Sequence, residues 1–262
     1  MKIRLNEKEE IEKIINSGDI DDKPMSAIHS LAKYYVAEGK EKDEIMTIID
    51  EFMIKNYNRY NSVLYYEKLN DTVNGAIKRN KSLLYIDSVN ITKSEIEYIN
   101  GLKKKFKLVA FSYLVYAKIL NKMNEGNDSW VADKYTSELF KDANVTHMGK
   151  QQTDLLSDFY EQGILDFKKF NMRYNGFKVN YLNEDDEVVW VVDDFRELGL
   201  QYLERYGTDA DKKKIKRCEV CRKAYKYKAN NQKYCVNCAK RVKNDYINER
   251  KKQKRSESNG CV

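Results

Sequence analysis

The sequence predicts a mostly α-helical protein with one α+β segment and a small cysteine-built module at a basic end. Three observations lead there. Eleven Gly and one Pro in 262 residues leave too few turn-formers for a turn-rich all-β or collagenous chain. Apolar residues, 42% of the chain, recur at helical spacing through the first hundred positions and suffice for a core beside 34% charged residues. Four of the five cysteines fall between residues 218 and 238 as two C-x2-C pairs. Length alone fits about two domains at roughly 150 residues each. Pattern divides the chain further, into a helical module over 1–101, an α+β domain over 102–207 and a cysteine module with its tail over 208–262.

Within 1–101, Asn6 is placed to cap a helix carrying Ile11, Ile14 and Ile15, which stops at Gly18. After Pro24 a second stripe runs through Ile28, Leu31, Ala32 and Tyr35 to Gly39. A third, from Asp43, holds Ile45, Ile48, Ile49, Phe52 and Met53, and a fourth holds Leu64, Leu69, Val73, Ala76 and Ile77. Thr92 and Glu95 form a capping box ahead of Ile96 and Ile99. Short helices of this kind bury their stripes against each other.

The next segment changes character. Lys103, Lys104, Lys105 and Lys107 lead into residues 108–123, apolar enough to form the buried centre of a domain. Two shorter helices follow: about 133–143 with Tyr135, Leu139 and Phe140 inward, and about 150–162 with Leu155, Leu156, Phe159 and Tyr160 inward. Between them lies a tight turn, 144–149, containing His147. Gly163 ends the third helix, residues 164–168 read as a strand, and residues 171–176 turn the chain into an alternating strand over 177–182. Helix, helix, turn, helix, hairpin is the order of a winged helix-turn-helix, whose third helix enters the major groove and whose hairpin loop touches the backbone. Residues 188–192 read as a further buried strand, Asp193 or Asp194 as the cap of a helix ending at Gly207, and residues 208–214 as a linker.

Charge is unevenly spread. Residues 1–100 and 101–210 each hold 15 Lys+Arg against 18 Asp+Glu, whereas residues 211–262 hold 18 against 5, a net of +13. A segment so basic attracts phosphate backbones by counterion release. Inside it, Cys218, Cys221, Cys235 and Cys238 form two knuckles separated by 13 residues, enough for a hairpin. Each knuckle turns two sulfurs onto one tetrahedral ion, so the expected cofactor is one structural Zn²⁺ in a small four-cysteine zinc ribbon, followed by a basic C-terminal helix. With almost no Val, Ile, Leu or Phe around it, such a module needs the ion to fold. Cys261 reads as a separate free thiol.

The expected nucleic-acid contacts are Lys150, Gln151 and Arg173 on the winged helix, and Arg217, Arg222, Lys223, Lys226, Lys228, Lys233, Lys240 and Arg241 around the cysteines, interleaved with Tyr225, Tyr227 and Tyr234. No apolar run reaches 18 residues and no signal-peptide pattern opens the chain, which predicts a cytoplasmic protein without a membrane partner. Phosphate-loop, dinucleotide, metalloprotease and serine-hydrolase motifs are missing, the paired acids at 184–187 and 193–194 have no accompanying base or nucleophile, and no enzyme is expected.

Some segments resemble known families. Residues 26–76, with Ala32-Lys33-Tyr34-Tyr35-Val36-Ala37-Glu38-Gly39, resemble the small helical modules at the C-terminal side of plasmid and phage primases. Residues 106–182 resemble the winged-helix domains of replication initiators and repressors. Cys218 to Cys238, with Asn230-Asn231-Gln232-Lys233-Tyr234-Cys235, is similar to zinc knuckles that end many uncharacterised phage and mobile-element proteins. The resemblance implies a mobile-element origin and nucleic-acid transactions; primase catalytic carboxylates have no counterpart here. The expected function is therefore a replication or regulatory protein that binds nucleic acid, DNA ahead of RNA, with the helical module holding a partner or a second copy. The alternative is an inhibitor that grips a host nucleic-acid-binding factor of defence or replication while its zinc tail anchors to the nucleic acid.

Overall fold

A computed structural model describes residues 5–20, 24–124, 129–145, 149–170 and 174–259. The chain divides into two compact units, the first ending at Asp87 and the second beginning at Ser88.

The first unit is a bundle of four helices: α1 (Glu7–Ser17), α2 (Pro24–Ala37), α3 (Lys42–Asn56) and α4 (Ser62–Arg79). Local chemistry sets their ends. The Asn6 side chain accepts from the Glu9 amide at 3.0 Å, and Gly18 closes α1 in the left-handed region at φ 69°. Asn61 accepts from the amides of Val63 and Leu64 at 3.0 and 3.1 Å to open α4. Ile11, Ile28, Leu31, Ile45, Ile49, Met53, Leu69 and Val73 form the core. Two residues of the expected α4 stripe lie outside it: Leu64 is 75% and Ile77 40% exposed. The buried stripe runs Leu69–Thr72–Val73, and Leu64 sits about 140° around the helix from Leu69 at 100° per residue.

The second unit opens with β1 (Val89–Thr92), α5 (Lys93–Gly101) and α6 (Lys104–Asn124). The capping box at Thr92 and Glu95 is formed as the sequence predicts. The helical module was expected to run to residue 101, yet β1 and α5 belong to this second unit, because β1 is antiparallel to a distant strand, β5 (Val188–Val192). Helix α6 is the hydrophobic axis: Phe106, Phe111, Tyr113 and Leu114 are among its fully or almost fully buried side chains. Around it stand β2 (Trp130–Ala132), a 3-10 turn at Asp133–Tyr135, α7 (Thr136–Asp142), α8 (Lys150–Glu161), β3 (Leu165–Phe170) and β4 (Tyr174–Val179). The strands form an antiparallel sheet in the order β2–β4–β3, with Leu165 opposite Val179 and Val131 opposite Phe177. Tyr181, just beyond β4, donates to the Ala110 carbonyl at 2.6 Å and ties the sheet to α6.

Leu155 and Phe159 of α8 are buried against this core, whereas Tyr160, expected inward, is 58% exposed. The structure also corrects the reading of 188–192 as a buried strand. Val188 and Val191 are exposed because β1 and β5 make a two-stranded ribbon that packs by one face, with Trp190 stacked on Phe111 at 4.9 Å.

Helix α9 (Leu198–Tyr206) begins at Glu197, not at Asp193 or Asp194. Asp194 turns instead to Arg196, accepting from its amide at 3.0 Å and from its guanidinium at 2.8 and 3.0 Å. Residues 208–214, expected as a linker, contain the short helix α10 (Asp209–Lys212), because Thr208 and Asp211 build a second capping box. The chain ends through β6 (Ile215–Arg217), β7 (Ala224–Lys226) and α11 (Val236–Asn259).

One close approach locks α9 in place. A methyl group added at Gly199 would meet the Ala143 carbonyl oxygen at 1.9 Å and its carbon at 2.5 Å. Both atoms are backbone and neither can swing aside. Gly199→Ala is therefore expected to destabilise the protein by about 3 kcal/mol, read as a lower urea midpoint; an unchanged midpoint would refute this packing.

Candidate metal centre and basic surface

The cysteines are brought together by the shortest elements of the chain. Strands β6 and β7 pair antiparallel, with Arg217 opposite Ala224 and Ile215 opposite Lys226. At the turn between them the Arg222 amide donates to the Cys218 carbonyl at 2.8 Å and the Cys218 amide to the Lys223 carbonyl at 3.0 Å. Arg222 takes the left-handed conformation, φ 60°, that lets this knuckle curl. The second pair is set differently. Cys235 precedes α11 and Cys238 lies in its first turn, the Ala239 amide reaching the Cys235 carbonyl at 2.9 Å, so a three-residue helical spacing puts both sulfurs on one face.

All four sulfurs lie within 4.8 Å of one another, and Cys221 Sγ is 3.8 Å from Cys235 Sγ. Ligands at about 2.3 Å in a tetrahedron are separated by about 3.8 Å, so the spacing suits zinc. Cys218, Cys235 and Cys238 are buried, Cys221 partly so. Their electrostatics conflict without a cation. Burial disfavours the Cys218 thiolate, but the amides of Cys221, Cys235 and Val220 outweigh it and bring the thiol down to about 6. At Cys238, burial and the neighbouring thiols push the proton's release up to about 12. A divalent ion at the centre removes this opposition by accepting four thiolates together.

Little else holds the module. Its core is the cysteines and Tyr225, flanked by Tyr227 and Tyr234, while Val220 points to solvent at 48% exposure. Gln232 stitches the hairpin, accepting from the Lys228 amide at 3.0 Å and donating to the Tyr234 carbonyl at 3.0 Å. Tyr225 donates to the Gln232 carbonyl at 2.8 Å. The tyrosines interleaved with the basic residues are thus partly occupied as packing.

The basic residues divide in two. Arg217 pairs with Glu204 of α9, its Nε donating at 3.1 Å, and Lys223 pairs with Glu197 at 2.6 Å. Lys233 lies 3.8 Å from Glu219. Arg196 adds a hydrogen bond to the Cys221 carbonyl at 3.0 Å. Burial works against the Asp194 charge behind it, yet the guanidinium and amide of Arg196 outweigh that and hold the carboxyl below its ordinary range. Arg196, Glu197 and Glu204 therefore fasten the cysteine module to the start and body of α9. No short-range spacing announces this: Glu204 and Arg217 are 13 positions apart.

The second group is open to solvent: Arg222, Lys226, Lys228, Lys240 and Arg241. From Ala239 to Gln253 every residue of α11 is exposed. That helix carries eight Lys or Arg against three Asp or Glu. Lys150 and Gln151 are exposed at the start of α8, the same helix that presents Asp154 and Glu161, with Asp158 tied to Lys105 at 2.6 Å. Arg173, His147 and Cys261 lie outside the described residues. Among the described residues no helix is long and apolar enough to cross a membrane. No protein-family model, curated protein or solved structure matches this chain.

Proposed function

We propose that this chain is a zinc-dependent nucleic-acid-binding protein in which α11 and the cysteine hairpin grip phosphates and a winged helix adds a second contact. The observation that carries the reading is the coincidence of charge with exposure. Of the net +13 of residues 211–262, +5 lies on α11, whose residues from Ala239 to Gln253 are all exposed, and +8 on residues 211–235, where Arg222, Lys226 and Lys228 are exposed. Four sulfurs leave no coordination position for water or substrate, so zinc here would be structural, holding the hairpin and the first turn of α11 in one orientation. The order α6–β2–α7–α8–β3–β4 with sheet order β2–β4–β3 supports a winged helix, with α8 in the recognition position. The resemblance to phage and mobile-element proteins supports a role in replication or its regulation.

A second reading is favoured by one feature. The outer face of α8 is acidic, through Asp154 and Glu161, which suits a protein partner better than a polyanion. On that reading the body docks on a nucleic-acid-binding factor and the zinc end anchors to its nucleic acid.

Anisotropy titrations of the full chain against labelled duplex DNA and RNA at several salt concentrations test both. Lys240→Glu, Arg241→Glu and Lys243→Glu together are expected to weaken binding by about 100-fold or more and to flatten the salt slope by about 2 to 3. Unchanged affinity and slope would sink the nucleic-acid reading. Lys150→Glu is expected to cost a further, smaller loss; no loss there would shift α8 to the protein-docking role.

A further inference from the structure

A cleft of about 490 Å³ opens beside the N-terminal end of α6. Its floor is apolar and partly aromatic, built from Leu108, Val145, Leu203 and Tyr206. Its rim carries Lys104, Lys105, Lys107 and Lys226. The zinc ligands, the outer face of α8 and α11 contribute nothing to it, and Lys226 is the one residue it shares with the basic surface described above.

The lysines are held around the opening. Lys104 lies 3.4 Å from Asp211, Lys105 is 2.6 Å from Asp158, and Lys107 donates to the Asn100 carbonyl at 2.7 Å. Lys226 arrives from β7 and is exposed. Asp211 beside Lys104 and Asp158 beside Lys105 set two carboxylates against four ammonium groups, so the mouth is still net cationic. Tyr206 is braced by its neighbours: its ring centroid is 6.0 Å from that of Trp190 and 5.6 Å from that of Tyr202, and the Arg205 guanidinium carbon lies 5.8 Å from it.

Size, an apolar floor and a few convergent polar groups are the marks of a small-ligand site. We infer that this cleft takes a nucleotide unit, with the base on the Tyr206 floor and the phosphate among the lysines. Two features favour a nucleotide over a simple amphiphilic acid. A phosphate monoester carries up to two charges and three acceptor oxygens, which uses several lysines, where a single carboxylate would leave most idle. The Thr208 hydroxyl and the Asp211 carboxylate, joined at 2.8 Å, place a hydrogen-bonding pair on the same rim, suited to ribose hydroxyls. A braced aromatic ring beneath a base contributes about 1–3 kcal/mol by stacking. A free nucleotide and the phosphorylated end of a strand offer the same chemistry to the cleft.

The test is calorimetric titration of the metal-loaded full chain with AMP, with a short 5′-phosphorylated oligonucleotide, and with inorganic phosphate. Saturable binding of AMP or the oligonucleotide is expected, at least about tenfold tighter than phosphate. Lys104→Ala with Lys226→Ala, both at exposed positions, is expected to weaken it about tenfold, one lost charge-assisted contact or more. Val145→Trp, which fills the cleft without altering charge, is expected to abolish it while metal content and thermal midpoint hold. Equal affinity for AMP and oligonucleotide assigns the site to free nucleotide; preference for the oligonucleotide assigns it to a strand end. Binding no tighter than phosphate, or binding indifferent to both sets of substitutions, would overturn the inference. Charge reversal on α11 should leave AMP binding intact, so a failed nucleic-acid assay does not stand in for a failed nucleotide site.

Discussion

With zinc in the cysteine centre as proposed above, removal of the metal from the full chain is expected to unfold residues 215–238 and loosen the start of α11. The reason is the composition of that module. It buries three cysteines and a tyrosine, with Cys221 partly covered, and offers no aliphatic cluster to replace the metal. Structural zinc supplies on the order of 10 kcal/mol of folding free energy in peptides of this kind, more than the stability margin of many small domains. Chelation, or Cys235→Ser, should expose the amides of β6 and β7 to rapid hydrogen exchange and release the ion pairs that Glu197 and Glu204 make with Lys223 and Arg217. The axis α6, buried by its own neighbours, should remain protected. Acid should mimic chelation, since protons compete with the metal for thiolates and metal affinity falls as pH falls. Elemental analysis should find one zinc per chain at neutral pH. A hairpin still protected after complete metal removal would show that the ion does not fold it.

The second large effect concerns a charge far from any surface. Lys118 on α6 and Glu95 on α5 form an ion pair at 2.9 Å with side chains 3% and 0% exposed. Glu95 is fully engaged: it also accepts from the Thr92 amide and the Asn183 amide, both at 2.9 Å. One carboxylate thus closes the capping box of α5, pins residue 183 at the approach to β5, and neutralises the only lysine buried in α6. Lys118→Met keeps the volume and removes the cation, leaving a buried carboxylate unpaired. Breaking such a pair from one side costs about 3–5 kcal/mol. Urea denaturation of wild type and variant at neutral pH measures the loss. A loss below about 1 kcal/mol would contradict this account of the pair.

Much of the secondary structure was legible in the sequence, because its signals act over three or four residues. Asn6, Gly18 and the Thr92–Glu95 box sit where their local chemistry places them. The apolar run over 108–123 forms the buried helix it predicts, which begins earlier, at Lys104 within the lysine patch. The four cysteines converge as their spacing predicts, since two-residue knuckles and a hairpin length are also local quantities.

Contacts between distant residues had no such signal. Nothing near Val89 indicates that it will lie opposite Val192, and that pairing moves α5 from the first unit to the second. The same ribbon leaves Val188 and Val191 in solvent although their sequence reads as a core strand. Asp194 chose Arg196 over the cap of α9, and Arg217 and Lys223, basic residues in a basic segment, were taken by glutamates of α9. The amino-acid order by itself therefore determined where helices start and stop, which helix is the axis and which four sulfurs meet. Only the tertiary structure decided which charges remain on the surface for a partner and which are spent inside. The physical reason is range: capping, periodicity and knuckle geometry are settled within a turn or two of chain, whereas strand pairing and ion pairing depend on groups brought close only once the chain has folded.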